Sequence, residues 1–187
     1  MRLHQMVPVS LALALTACAS APPGAESIAS QAPLCAPDVS LGKVVIAPLT
    51  RWRVDQKEPD VREAIAAKAI AAVAPSISCA VSARVLPIAA DANASARVAE
   101  AKAAGASTII FIRIDELGPI ATLSFPALWS TWSDVKFTLE AVGVATGQVA
   151  RSIPHRRQKG GAFEVRGLDP LQAEMELALR DVILGAR

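Results

Sequence analysis

Histidine is almost absent from these 187 residues: there are two, and only His155 lies beyond the first seventeen positions. Nucleophilic catalysis needs a base beside its nucleophile, and one imidazole offers little for that. Two distant cysteines, Cys35 and Cys79, with no histidine near them do not make a metal-ligand set. No Gly-x-Ser-x-Gly elbow, phosphate-binding loop or metal-binding histidine pair occurs. Asp115 and Glu116 are adjacent on an expected strand, so without a bulge they point to opposite faces and cannot share a substrate atom. A net charge of +2 is too small to suggest a nucleic-acid partner. After residue 17 no uncharged stretch is long enough to cross about 30 Å of hydrocarbon. The chain reads as a non-enzymatic protein with no cofactor and no metal.

What is present begins at the amino terminus. Arg2 and His4 precede an apolar run from Val7 to Ala17, with the proportions of an export-signal core. The run ends in Leu15-Thr16-Ala17-Cys18, which resembles the lipobox of bacterial lipoproteins. That resemblance implies cleavage before Cys18, removal of residues 1–17 as a signal peptide, and acylation of Cys18. Ala19, rather than Asp, follows the cysteine, and with more than one acyl chain the anchor is durable. The expected location is the bacterial outer membrane, with the folded part in the periplasm. With Cys18 committed to lipid, Cys35 and Cys79 remain, as a disulfide pair or as two buried thiols.

Residues 18–38, rich in Ala, Ser and Pro and without a helical or strand period, read as a tether. Residues 39–187 suit one α/β domain. "KVVIAPL" from Lys43 reads as a buried strand. Asp60 and Glu63 form an apparent capping box for a helix presenting Val61, Ile65, Ala69 and Val73. A strand over Val81–Ile88, an Ala-rich helix from Ala94 to Gly105 and a strand over Ser107–Leu117 follow. Alternating Val135, Phe137, Leu139 and Ala141, with a turn near Thr146-Gly147, mark a β-hairpin. A last helix opens at Asp169-Pro170, buries Leu171, Met175, Ala178, Leu179 and Val182, and stops at Gly185.

The predicted order is β-α-β-α-β-β-β-α: one mixed sheet with parallel crossovers first, an antiparallel hairpin later, and helices packed on it. That order, with "AEAKAAGASTIIFIRIDEL", a Trp-containing connection and "WSDVKFTLEAVGVATGQV", resembles small bacterial lipoproteins with an α/β domain. These include the amino-terminal domain of the Tol translocation protein, the curli secretion lipoprotein and lipoprotein activators of penicillin-binding proteins. The resemblance implies binding of other envelope proteins and supplies no catalytic residue.

Two segments are candidate sites. The connection Gly118–Trp132 is long for a compact sheet and carries Phe125, Leu128, Trp129 and Trp132. Pro119 and Pro126 could fold it over the sheet as core, or its aromatics could anchor a partner, with Trp52 in the same patch. "PHRRQKGG" reads as a basic loop in which Arg156 and Arg157 are either solvated or meet an anionic lipid, a glycolipid or an acidic protein face. A rival reading is an accessory of lipid or glycolipid transport. A deep apolar pocket would mark that carrier; a protruding aromatic patch would mark docking.

Overall fold

The computed structural model describes residues 32–123 and 129–185. Cys18, Phe125 and Leu128 lie outside the described residues. The core strand is β1 (Gly42–Thr50), whose Val44 to Leu49 stretch is apolar and buried throughout. It pairs in parallel with β2 (Ala80–Val85), a two-residue β3 (Ala89–Ala90) and β4 (Thr108–Thr122). β5 (Ser130–Gly143) and β6 (Val149–Ala162) add antiparallel arms, giving the spatial order β2-β1-β4-β5-β6.

The chain leaves β1 in one lateral direction through α1 (Pro59–Val73) and returns to its other side through α2 (Ala94–Ala103). Right-handed crossovers of opposite direction place their helices on opposite faces. Accordingly Val44, Ile46, Ile110, Ile112 and Phe137 form one core with α1 and α3 (Leu171–Leu184). Val45, Ala47, Ile109 and Phe111 form a smaller one with α2. The face beneath β5 and β6 on the α2 side keeps a polar surface.

The mixed sheet and its helices agree with the sequence, and α3 buries all five of its predicted apolar residues. Gly185 ends α3 at φ 69°, a conformation that glycine adopts without a Cβ penalty. Other details differ. α1 starts at Pro59 behind Glu58 at φ 52°, so Asp60 is not a side-chain cap. Val61 is exposed, and the buried stripe is Arg62, Ala66, Ala69, Ile70 and Val73. The Glu63 carboxylate is instead taken by Thr50 and Trp52.

The packed chain begins ahead of residue 39. Leu34 is fully buried, and the Leu34 and Cys35 amides donate to the Val182 and Ile183 carbonyls at 2.9 Å, satisfying groups at the end of α3. Arg151 donates to the Pro33 carbonyl at 2.6 Å. Cys35 and Cys79 are bonded, with Cα atoms 5.2 Å apart.

The described part of the predicted 118–132 connection is mostly strand. β4 runs to Thr122, β5 begins at Ser130, and Gly118, Ile120 and Ala121 pair with Asp134, Trp132 and Thr131. β1 ends at Thr50 opposite Ile114, so beyond that level β4 is an edge strand, where Pro119 is tolerated. The basic segment is also no loop: Pro154 to Gly161 lie within β6, the outer strand, where proline and glycine interrupt no further ladder.

Candidate functional site

The far end of the β4-β5-β6 arms exposes large apolar side chains. Leu123 follows β4, Trp129 precedes β5, and Phe163 and Val165 follow β6; all four are solvent-exposed, Leu123 and Val165 almost completely. Trp129 and Phe163 meet edge-on, ring centroids 5.6 Å apart, and the Phe163 amide donates to the Trp129 carbonyl at 3.1 Å. Phe163 holds φ 62°, a conformation costly for a bulky residue. Its position is fixed by the next residues: Thr131 donates to the Glu164 carbonyl, the Arg166 amide donates to the Thr131 hydroxyl, and Arg166 pairs with Glu164.

Trp132 is half-buried in β5, opposite Gly160 in β6. Gly160 sits at φ 149°, and a Cβ there would lie 2.1 Å from the Thr131 carbonyl oxygen, so only glycine fits beside this aromatic. Trp52 lies elsewhere. It packs half-buried against the α1 side of the core, and its indole N–H donates to Glu63 at 3.1 Å.

Arg156 and Arg157, neighbours in sequence, sit on opposite faces of β6. Arg157 turns toward α3 and meets Glu174 at 2.9 Å and Asp181 at 3.3 Å; Lys159 reaches the same Glu174 at 3.4 Å. Burial raises the Glu174 carboxyl, but the hydrogen bonds and charges of Arg157 and Lys159 outweigh it and hold it below the usual carboxylate range. His155 lies on the same face against Phe137, its Nε2 buried without a hydrogen bond among the described residues. Burial pushes its pKa down, Asp181 opposes this, and Arg157 reinforces it.

Arg156 faces the other way and grips the buried Asp134 through two contacts of 2.7 and 3.1 Å, with Gln158 adding a third. It lines an open groove of about 610 Å³. Arg51 and Arg53, from the segment after β1, and Lys136 of β5 share the groove with Asp115, Glu116 and Asp134. The bulge between Ile114 and Glu116 is the exception that the sequence reading allowed for, and it brings both adjacent carboxylates to this groove. Arg51 holds Asp115 at 2.8 Å and Arg53 reaches Glu116 at 3.7 Å. The carboxylates thus orient arginines. The sequence carried no signal for this groove, because its residues come from four separated segments.

Between the sheet and α1 and α3, an apolar cavity lined by Ile46, Ile70, Ile110 and Leu179 holds only about 10 Å³. Among the described residues no group of three His, Cys, Asp or Glu side chains could hold a metal, and no helix is long and apolar enough to cross a membrane.

The fold defines a class: a mixed α/β sheet with a β2-β1-β4 parallel part, two antiparallel arms and helices on both faces. No family model and no curated protein matches the sequence. Solved structures do match. A PelC dodecamer from Paraburkholderia phytofirmans is 16% identical with a TM-score of 0.50, over 76% of this chain and 85% of that one. Lipoprotein GNA1162 from Neisseria meningitidis is 16% identical with a TM-score of 0.48, over 78% and 99%. XCC0632 from Xanthomonas campestris is 10% identical with a TM-score of 0.45, over 78% and 81%. At these identities the likeness is one of fold.

Proposed function

We propose that this chain is a lipid-anchored, non-catalytic binding protein of the bacterial envelope, which docks another envelope protein through the aromatic end of its β4-β5-β6 arms. In this reading residues 1–17 are removed, acylated Cys18 holds the protein in the outer membrane, and the domain faces the periplasm. The observation that carries it is the exposed set Leu123, Trp129, Phe163 and Val165, braced by backbone bonds and by a Phe163 held in a strained conformation. Large apolar side chains whose backbone is already hydrogen-bonded bury area on contact with less left to order. The 16% identical fold found in a lipoprotein accompanies this reading but does not carry it.

The carrier reading fares worse. An acyl chain needs an apolar pocket of hundreds of cubic ångströms, whereas the cavity under the helices is about 10 Å³.

The test pairs Trp129→Ala with Phe163→Ser in the native lipoprotein and measures recovery of crosslinked partners from intact cells. Loss of one envelope protein, with unchanged thermal stability, supports docking. Retention of the same partners by the double variant would remove the arm tips from the account. Cys18→Ser, with palmitate labelling, tests the anchor separately.

A further inference from the structure

The groove at the end of β1, where β4 and β5 run past it, stands apart from the aromatic tips. β1 and β4 are neighbours whose connections run to opposite sides of the sheet. In open α/β sheets the crevice outside the carboxyl ends of two such strands is where ligands lodge. Arg51 and Arg53 follow β1 directly, and Asp115 and Glu116 lie where β4 passes that end.

The charges in the groove are arranged unequally. Glu116 and Lys136 are directly opposed across β4 and β5, the register in which an ion pair is expected. Glu116 turns away instead, toward Arg53 and the buried Arg62 at the β4 edge. Lys136 is left exposed, with no carboxylate within 4.0 Å among the described residues. Asp115 meanwhile fixes Arg51, and the buried Asp134 fixes Arg156. Positive side chains held by carboxylates behind them are pre-organised for an anion. They come from the segment after β1, from β5 and from β6, so they approach one space from different directions. A phosphate carries enough oxygens to accept from several directions, whereas a carboxylate presents two in one plane.

We propose that this groove is a binding site for a phosphomonoester, with Lys136 and Arg53 as its principal contacts and Arg51 and Arg156 as oriented supporting charges. The volume, about 610 Å³, admits a head group larger than phosphate itself. Ile120 supplies an apolar wall at one side. The same chemistry is offered by a soluble sugar phosphate and by a phospholipid head group. The site is independent of the docking reading, because none of its residues belongs to the arm tips.

The experiment is calorimetric titration of the full chain with glucose 1-phosphate and with dihexanoyl phosphatidic acid, against glucose and dihexanoyl phosphatidylcholine as controls. At least one phosphomonoester binds and its control does not. Binding of glucose 1-phosphate assigns a soluble ligand, and binding of the phosphatidic acid alone assigns a lipid head group. Lys136→Ala weakens binding about tenfold, Arg53→Ala does likewise, and Lys68→Ala, an exposed lysine on α1, leaves it unchanged. Absence of binding by either phosphomonoester overturns the proposal. So does binding that survives Lys136→Ala and Arg53→Ala with thermal stability intact, or that responds equally to Lys68→Ala.

Discussion

Gly118→Ala should destabilise the domain, and it should do so through one side chain. Arg62, 6% exposed, projects from the start of α1 onto the β4 edge that β1 leaves uncovered. Its Nε donates to the Lys57 carbonyl at 2.8 Å, and its Nη1 donates to the Leu117 carbonyl. Burial lowers its pKa from the usual range, nearby Glu116 and Glu58 oppose that, and Arg53 adds to the lowering. A Cβ on Gly118 would lie 1.4 Å from the Arg62 Nη1, so the guanidinium must leave. Hydrogen bonds from a charged donor contribute about 1.5–3 kcal/mol each. Losing two, with some recovery from water at the open edge, costs about 3 kcal/mol. At about 2–4 °C per kcal/mol for a chain of this size, the midpoint falls by about 6–12 °C. Calorimetric melting of Gly118→Ala, Arg62→Ala and the double variant tests the cause. Once Arg62 is truncated the new methyl has no clash, so the second substitution should add less than about 0.5 kcal/mol. If the two losses simply add, the side chain is not what the glycine accommodates, and the reasoning fails.

Four further outcomes follow from the same packing. His155 has a folded pKa below its ordinary 6.5, so the unfolded chain takes up the proton first. Stability should therefore fall as pH drops from about 6.5 toward the folded value, and His155→Gln should flatten that limb in urea titrations. Glu174 acts in the same sense at lower pH: its contribution is present above the ordinary carboxylate value and disappears as pH falls through the lowered folded one. Glu174→Gln should cost about 1–3 kcal/mol at neutral pH and less in acid, read by the same titrations. Cys79→Ser opens a loop of 44 residues and should cost about 4 kcal/mol by loop-closure entropy, measured by denaturant unfolding against the oxidised protein. Leu179→Ala, fully buried between α3 and the sheet, should cost about 2–5 kcal/mol.

Much of the architecture was legible because apolar periodicity reports burial directly. The α3 face and the alternating run from Val135 to Ala141 both face the α1-α3 core as their spacing requires. Where composition and position disagree, the reading strays. Pro154, Gly160 and the arginines of β6 look like a loop, yet an outer strand tolerates them because no further ladder needs their amides. Pro119 misleads for the same reason at the β4 edge. Arg62 breaks the apolar stripe of α1, because an edge carbonyl rather than solvent receives it. Trp129 stands out in the sequence, but its partner Phe163 lies across two strands, and only the register of β5 with β6 brings them together. The groove is least visible, since a one-residue bulge after Ile114 decides which way Asp115 and Glu116 point.

The central claim is that the aromatic arm tips contact a partner. The most direct measurement places a photo-crosslinking amino acid at Trp129 of the native protein, irradiates living cells and identifies the product by mass spectrometry. The account predicts a single envelope protein, captured at position 129 and lost when Phe163→Ser is added. Crosslinks confined to this chain's own residues would contradict it, because the tips would then be covered by the protein itself.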